Sequence, residues 1–258
     1  MANHLTLAVA GSRKTQGIVD HCTLLPNTRR TLVLTYTQSN QEELRCRLNK
    51  YAGNQPNISV MGWFTFLLRN FAKPFLPFSF HGERVCGFNF DGRPHLKASG
   101  KSRFLDKKGQ VYACELSRLS SELIHNSQGA LLHRLECIYD EIIIDEVQDL
   151  SGHDWEIMDT LLSSKIELRM VGDIRQSVLS TNPRSSKNKK YAYSDAIKWF
   201  REREAIGNLE ITERAITWRC HSDIAAFSDT IFEKSLGFPT TVSLNDTVTG
   251  HDGVFLVH

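Results

Sequence analysis

The sequence has few of the features that mark secreted, zinc-binding or membrane proteins. Its six cysteines are scattered and form no Cys-x-x-Cys pair, which argues against a zinc site and is typical of a reducing compartment. No apolar run approaches the roughly 18 residues that a membrane helix needs. The N-terminus also has no basic region before its short apolar strand, so it does not resemble a signal peptide. We therefore expect a cytoplasmic protein without a membrane partner.

The sequence also has little net charge. The formal charge of the 258 residues is +2, which is too small to indicate a nucleic-acid ligand by itself, so that ligand would have to bind at local patches. The fractions of apolar residues (41%) and charged residues (23%) are those of an ordinary globular protein. The length suits one large domain, or one domain with an insertion and a partial second unit.

Strand-like and helix-like segments alternate through most of the chain, which predicts an α/β fold with a parallel sheet flanked by helices. The predicted strands are residues 5–10, 31–37, 58–61, 141–144 and 166–171. The predicted helices include residues 14–25, 41–50, 63–71, 155–162, 193–204 and 221–232.

The alternation breaks in a segment that holds prolines, glycines and a basic run. We expect residues 73–125 to form a small inserted subdomain, with a hairpin around residues 88–93. Residues 1–72 and 126–210 would then form the α/β domain, and residues 211–258 would begin a second, incomplete domain of the same type. The insertion contains five basic residues, Lys97, Lys101, Arg103, Lys107 and Lys108, and four more, Arg184, Lys187, Lys189 and Lys190, lie in a later loop. Either run could follow a phosphate backbone or form a solvated surface.

The most informative segment is the apolar run that ends in Asp145 and Glu146. A strand buried on both faces is the usual interpretation of such a run, and ligands bind at the carboxyl ends of strands in open α/β sheets. Adjacent acids at that position favour a cation, for which magnesium held with a nucleotide triphosphate is the obvious choice. Asp145 would then hold the metal and Glu146 would activate the attacking water. The alternative is a solvated loop of acids.

A second segment, Ala8 to Thr15, lies between the first predicted strand and the first predicted helix. This is the position of a phosphate-binding P-loop, in which backbone N–H groups and a helix N-terminus hold phosphate oxygens. Lys14 would reach the β- and γ-phosphates, and the Thr15 hydroxyl would ligate magnesium. Arg13 stands where the usual pattern has glycine, so a basic helix start is an equal alternative. The predicted nucleotide-binding residues are Gly11, Ser12, Arg13, Lys14 and Thr15.

Together with two weaker segments, these motifs resemble the superfamily 1 helicases of the UvrD type. The acidic segment is similar to the Asp-Glu-x-Gln-Asp signature of that family, and residues 171–177 are similar to its Val-Gly-Asp-x-x-Gln-Ser motif. Residues 217–222 resemble its Asn-Tyr-Arg-Ser helix start. Residues 34–47 and 60–68 resemble two further segments of the family.

The resemblance implies a P-loop (RecA-like) domain that binds ATP and Mg²⁺ and has single-stranded DNA as its partner. It further implies that Gln176 senses the γ-phosphate and that Arg219 contributes positive charge, so that Glu146, Gln176 and Arg219 are the predicted catalytic residues. Thr15 and Asp145 are the predicted metal ligands. The predicted DNA contacts are Tyr36, Thr37, Trp63 and Phe64, although core packing is favoured for any one of the aromatics in residues 63–66.

Two departures from the family pattern leave alternatives open. The sequence has no segment before Leu5 for the glutamine that contacts adenine in the family, and Arg13 replaces the P-loop glycine. The first hypothesis is an ATP-dependent DNA helicase or translocase. The second is a nucleotide-binding regulatory or scaffold module that partners a nuclease or another protein without unwinding DNA. A third is a fragment of a longer helicase that is inactive alone.

Overall fold

The centre of the protein is a six-stranded sheet in which every pair of neighbouring strands is parallel. The computed structural model describes residues 3–53, 55–177, 187–232, 234–245 and 247. From one edge to the other its strands are Ile58–Gly62 (β3), Thr31–Thr35 (β2), Glu141–Ile144 (β6), Glu167–Gly172 (β7), His4–Ala8 (β1) and Glu210–Arg214 (β8), and helices lie along the sheet. The predicted fold class, an α/β P-loop domain of RecA-like type, is therefore confirmed.

The bounds of the strands and helices agree with the predicted alternation over the main domain. The strands are β1 (His4–Ala8), β2 (Thr31–Thr35), β3 (Ile58–Gly62), β4 (Gly87–Asn89), β5 (Gln110–Tyr112), β6 (Glu141–Ile144), β7 (Glu167–Gly172), β8 (Glu210–Arg214), β9 (Ile216–Thr217) and β10 (Val242–Ser243). The helices are α1 (Lys14–Thr23), α2 (Gln38–Tyr51), α3 (Trp63–Leu67), α4 (Lys73–Phe75), α5 (Lys101–Phe104), α6 (Leu116–Asn126), α7 (Ala130–Ile138), α8 (Asp154–Leu162), α9 (Ala196–Ala205) and α10 (Ser222–Asp229). No helix of the described residues is both long and apolar enough to span a bilayer.

The two central strands β2 and β6 are buried along their whole length. Their sequences, TLVLT and EIII, are almost continuously apolar because helices cover both faces of the sheet. Leu34 pairs with Ile144, which in turn pairs with Met170 of β7. This register fixes where the chain leaves the sheet after β6, and so fixes the position of Asp145.

The strand order determines which loops meet. β6, β7 and β1 are neighbours, so the segments that follow them emerge side by side at the carboxyl edge of the sheet. These are the three segments that begin at Asp145, Asp173 and Val9. The topology therefore brings together motifs that are more than a hundred residues apart in sequence.

The inserted segment contains a short two-stranded sheet, but it is not the predicted hairpin. β4 pairs in parallel with β5 instead of turning back on itself, so the hairpin prediction was wrong. The apolar face of α6, formed by Leu116, Leu119 and Leu123, belongs to the same buried cluster as the central sheet. The insertion is thus packed onto the main core.

The strand β8 crosses the predicted domain boundary at residue 211. It pairs with β1 from His4–Glu210 to Ala8–Arg214, so residues 211–214 belong to the central sheet. Beyond it, β9 and β10 form a separate parallel pair next to α10. Residues 246 and 248–258 of the predicted second domain lie outside the described residues, and the division into domains stays a prediction.

The amino end of β6 carries a buried carboxylate that is neutralised by several partners. The Glu141 side chain is fully buried and accepts from Arg29 Nε at 3.2 Å and from Arg169 Nε at 3.4 Å. His21 Nε2 lies 2.8 Å from the same carboxylate. Burial alone would raise the pKa of Glu141, but the hydrogen bonds and charges of His21 and Arg29 lower it below its usual value.

Candidate nucleotide-binding site

A polar cleft of about 700 Å³ opens at the carboxyl edge of the sheet. Its walls come from the loop after β1, the start of α1, one face of α2 and the segments after β6, β7 and β9. The lining residues are Ala10, Gly11, Arg13, Lys14, Thr15, Gln16, Asn40, Glu43, Arg47, Asp145, Glu146, Gln176 and Arg219. The three predicted catalytic residues therefore face one space, as do both predicted metal ligands and four of the five predicted nucleotide-binding residues.

Two residues of the loop after β1 have a left-handed backbone conformation. Gly11 has φ +75° and Arg13 has φ +60° with ψ +40°, and α1 begins directly afterwards at Lys14. Arg13 thus adopts the left-handed conformation that glycine takes most easily, at the position where the usual motif has glycine. The turn therefore forms with arginine at the position where the motif has glycine.

Ser12 is the predicted loop residue that does not line the cleft. Its side chain is buried, and its hydroxyl makes no hydrogen bond within the described part of the chain. The Ser12 N–H donates to the Val9 carbonyl oxygen at 3.2 Å, which tightens the turn. A buried hydroxyl without a hydrogen-bond partner costs free energy and calls for an explanation. A polar ligand bound at the loop would supply the missing partner.

Gly11 is fixed by the segment that follows β9. A Cβ added to Gly11 would lie 2.4 Å from Arg219 Cβ and 2.7 Å from Thr217 Oγ1. The Thr217 hydroxyl donates to the Ala10 carbonyl oxygen at 2.7 Å, and the Trp218 N–H donates to the Gly11 carbonyl oxygen at 3.3 Å. These contacts hold Arg219 beside the loop, and its side chain lines the cleft.

Arg13 makes a contact that the sequence did not reveal. Its guanidinium carbon lies 4.6 Å from the centre of the Trp218 ring, in a cation–π arrangement. The side chain that replaces the motif's glycine is therefore held against the segment after β9. It also lines the cleft, so it adds a positive charge to the site.

The Asp145 carboxyl group is buried, and its surroundings disfavour the charged form. It is 2% exposed, and burial, followed by the charge of Glu146, raises its pKa to about 7, although Lys14 opposes the shift. Burial and the charge of Glu146 also raise the pKa of Asp149 to about 6. Lys14 Nζ lies 3.7 Å from Glu146 Oε2. Both raised pKa values mean that the charged forms of these carboxyl groups are disfavoured, so a cation bound beside Asp145 would be favourable.

The donor set fits magnesium held together with phosphate groups. No group of three or more His, Cys, Asp or Glu side chains among the described residues could hold a metal ion by itself. Magnesium is usually bound by one or two protein oxygens plus the phosphates of a nucleotide. Thr15 and Asp145 both line the cleft and could supply such oxygens, while Lys14 and Arg219 could face phosphate.

Sequence reasoning missed the contribution of α2 to the cleft. Asn40, Glu43 and Arg47 line it, and Arg47 is paired with Glu43. Their spacing of three and four residues places them on one face of the helix, beside the apolar positions Leu44 and Leu48 that pack on the sheet. This polar stripe, on a helix that follows a central strand, is the signal that could have identified them.

Gln148 was also missed as a residue of the site. Its side chain is 5% exposed, and its Nε2 donates to Glu146 Oε2 at 2.7 Å. Its Oε1 accepts from the Asp173 N–H at 3.1 Å. The segment after β6 is therefore hydrogen-bonded to the segment after β7.

Trp63 does not fit a role in stacking on DNA bases. The side chain is fully buried, and its indole Nε1 donates to Asp154 Oδ1 at 2.9 Å. A ring enclosed in this way has no free face for a base. The structure shows core packing for Trp63, as was expected for any single aromatic of this segment.

The other three predicted DNA contacts are more accessible. Thr37 is exposed, and its hydroxyl accepts from the Asn40 N–H at 3.1 Å and so caps α2. Tyr36 is partly exposed, but its hydroxyl is buried without a hydrogen bond inside the described ranges. Phe64 is partly exposed and its ring packs edge-on against Phe90 at 6.4 Å. Nucleic-acid binding at these residues stays a prediction.

Several residues of the two basic runs, for which a phosphate-backbone contact and a solvated surface were both open, are paired with acids. Lys101 Nζ lies 2.6 Å from Glu83, and Arg103 Nη2 lies 2.9 Å from Glu115. Lys187 Nζ lies 2.6 Å from Glu156. Arg184, from the same run, lies outside the described residues. The pairing favours the interpretation of these side chains as a solvated, structural surface.

Comparison with known families supports the assignment made from the motifs. Residues 98–189 match the UvrD/REP helicase N-terminal domain. The matched segment begins inside the inserted subdomain and includes Asp145, Glu146, Asp173 and Gln176. No curated protein matches the chain. Together with the parallel sheet and the convergence of the motifs at its carboxyl edge, this match to part of the chain supports a UvrD-like helicase N-terminal domain.

Proposed function

We propose that this chain is the ATP-hydrolysing domain of a DNA helicase or translocase, with ATP and Mg²⁺ as ligands and single-stranded DNA as track. The observation that supports this proposal best is the cleft in which Lys14, Asp145, Glu146, Gln176 and Arg219 meet. They come from four separate segments and would supply the groups that phosphoryl transfer uses, which are charges, a proton acceptor and a polar amide that orients the water. The match of residues 98–189 to a UvrD/REP helicase N-terminal domain supports a helicase-family ATPase. A cytoplasmic location is part of the proposal.

The residues of the cleft divide into three roles. Thr15 and Asp145 would hold magnesium, which supplies positive charge to the phosphate oxygens when it is bound. The backbone around Gly11 and the Lys14 ammonium would bind the phosphates, and Arg219 would balance charge that develops on the γ-phosphoryl group. Glu146 would orient the attacking water and accept its proton, while the Gln176 amide would position that water or the γ-phosphate.

The proposal is tested by ATP turnover with and without single-stranded DNA. We expect DNA-stimulated hydrolysis in the wild-type chain and loss of that hydrolysis in Glu146→Gln, because the amide cannot accept a proton. Lys14→Ala should weaken nucleotide binding in a direct titration. Glu122→Gln, which changes an exposed α6 carboxylate paired with Arg118, is the matched control and should behave as wild type. Wild-type turnover no faster than that of Glu146→Gln would refute an autonomous motor, and equal nucleotide affinity in wild type and Lys14→Ala would refute the P-loop assignment.

The alternative is a nucleotide-binding regulatory or scaffold module that partners a nuclease or another protein. The contact between Arg13 and Trp218 favours it, since it holds a bulky side chain where the motif's glycine allows close approach of phosphate. This alternative predicts nucleotide binding that depends on Lys14 but turnover that DNA does not stimulate. Arg13→Gly separates the two: a large gain in turnover would mean that Arg13 restrains the site.

A further inference from the structure

We propose that Gln148 is a positioning residue that fixes the Glu146 carboxylate for proton transfer, with Glu146 Oε2 as the anchored oxygen and Oε1 as the reactive one. This inference rests on the proposed function, because it assigns a task within ATP hydrolysis. The role differs from that of a ligand contact, since Gln148 does not line the cleft. It would act only through Glu146.

The orientation of the Gln148 amide follows from its partners. The Asp173 backbone N–H can only donate, so the atom 3.1 Å from it must be the amide oxygen. The amide nitrogen then points to Glu146 Oε2 at 2.7 Å, where it donates to a carboxylate. Both ends of the side chain are thus used, and a rotation of the amide would break both hydrogen bonds.

Glu146 is a residue whose position needs such support. Its backbone has φ +56°, in the left-handed region that non-glycine residues seldom adopt, and its side chain is 26% exposed. Oε2 accepts from Gln148 and lies 3.7 Å from Lys14 Nζ. In the described part of the chain no hydrogen bond reaches Oε1, so this oxygen is free to accept a proton from water.

The surroundings of Gln148 are shaped to hold its amide in place. A Cβ added to Gly172 would lie 2.5 Å from Gln148 Oε1 and 2.8 Å from Val147 Cγ1, so only glycine leaves room for the amide at this strand end. The Ser177 hydroxyl donates to the Gln148 carbonyl oxygen at 3.0 Å and secures the backbone as well. Gln148 is therefore held by the turn after β7 on two sides.

Gln148→Met tests the proposal, since methionine has a similar length and shape but no hydrogen-bonding amide. We expect kcat for ATP hydrolysis to fall about 10- to 100-fold because a misplaced proton acceptor slows the chemical step. The affinity for nucleotide, measured by titration, and the KM should stay within about twofold of the wild-type values, since Gln148 contacts no ligand. Gln110→Met in β5 of the insertion is the matched control and should leave kcat unchanged.

A second variant covers the case in which Gln148→Met is poorly folded. Gln148→Glu keeps the acceptor for the Asp173 N–H but places a carboxylate against Glu146 Oε2. We expect kcat to fall at least as much, and the acidic limb of its pH profile to move to higher pH, because neighbouring carboxylates favour a shared proton. Because the added carboxylate would shift that limb whatever the native role of Gln148, the deciding value is kcat on the plateau above the limb, and a plateau equal to that of wild type would overturn the positioning role.

The outcomes separate this inference from the proposed function. Wild-type kcat in both Gln148 variants, with Glu146→Gln inactive, would overturn the positioning role alone. Loss of nucleotide affinity in parallel with kcat would also overturn it, since Gln148 would then shape the binding site. Absence of hydrolysis that depends on Glu146 in the wild-type chain would overturn both the function and the inference.

Discussion

The Arg175 guanidinium joins the turn after β7 to α10, because its Nη1 donates to Asp229 Oδ1 at 2.8 Å across 54 residues of sequence. The same nitrogen lies 3.1 Å from Thr241 Oγ1, and the Arg175 Nε donates to Asp173 Oδ1 at 3.3 Å. Asp173 is in turn bonded to Gln148, and Gln148 to Glu146. A continuous set of hydrogen bonds therefore connects the cleft to the segment beyond the central sheet.

We predict that Arg175→Met will loosen α10 while the central sheet stays intact. The arginine is 10% exposed and Asp229 is 19% exposed, so removing the charge leaves a largely buried carboxylate with fewer partners. The expected cost is about 2 kcal/mol. Hydrogen exchange should become faster at the amides of α10 and unchanged in β2 and β6. Arg201→Met, which removes a more exposed pair with Glu213, is the control; equal exchange in both variants would contradict the prediction.

We predict that Glu141→Gln will destabilise the fold by about 3 kcal/mol at neutral pH, because the partly buried Arg29 and Arg169 guanidinium groups lose their charged hydrogen-bond acceptor. The folded pKa of Glu141 is lowered, so its contribution is fully present above its unfolded pKa. That contribution is lost as the pH falls through the folded value.

The check is urea denaturation of both proteins between pH 3 and pH 8. The two stability curves should converge at the acidic end. Glu122→Gln on α6 should change the free energy of unfolding by less than about 1 kcal/mol, because its pair with Arg118 is exposed. A gap between wild type and Glu141→Gln that stays constant down to pH 3 would exclude this explanation.

The effect of Asp145→Asn on the free energy of unfolding should depend on pH in the opposite sense to that of Glu141→Gln. The folded chain keeps a proton on Asp145 up to about pH 7, whereas an unfolded aspartate releases it near about pH 4. Between these values the folded state binds more protons, so the free energy of unfolding falls as the pH rises. The variant lacks this loss, and we expect it to be more stable than wild type at pH 8 by at least about 1 kcal/mol. Denaturation curves recorded with a chelator present test this; parallel pH profiles would refute it.

Gly11→Ala should disturb the cleft far more than its backbone strain alone explains. Gly11 and Gly53 both have positive φ, +75° and +71°, but an added Cβ meets Arg219 only at Gly11 and meets nothing within 4 Å at Gly53. Each alanine should cost about 1 kcal/mol for its conformation. Only Gly11→Ala should also displace residues 217–219 and weaken nucleotide binding by at least about tenfold. Comparable nucleotide affinity in the two variants would show that the contact with Arg219 does not matter.

The positions of the candidate site residues could be predicted from the sequence. The contacts and burial of each side chain could be predicted less well. β6 and Asp145 could be predicted because an apolar run that ends in acids has few stable placements, and the parallel orientation of the strands follows from helical crossovers. The hairpin at residues 88–93 was predicted from local turn residues. The turn does form, with the Gly92 N–H donating to Asn89 Oδ1 at 2.7 Å, but β4 finds its partner strand about twenty residues further on.

Burial of individual aromatics and the contacts of polar groups were not predictable from spacing. Trp63 and Phe64 are adjacent and both aromatic, yet only Trp63 is enclosed, because its indole meets Asp154 of α8. That contact depends on how helices 91 residues apart pack together. Gln148 likewise has an ordinary place in a motif, and its link to Asp173 exists only once β6 and β7 lie side by side.

The two ends of β6 differ in how completely their acids are neutralised. Glu141 at its start is matched by His21, Arg29 and Arg169, whereas the pKa of Asp145 beyond its end is raised by burial and by the charge of Glu146, which Lys14 offsets only in part. A ligand that brings a cation to the second end would bind the folded chain and not the unfolded one, and would stabilise it by mass action. The occupancy of the cleft would then set how long a folded molecule survives heat or proteolysis, so persistence in the cell would follow the supply of that ligand.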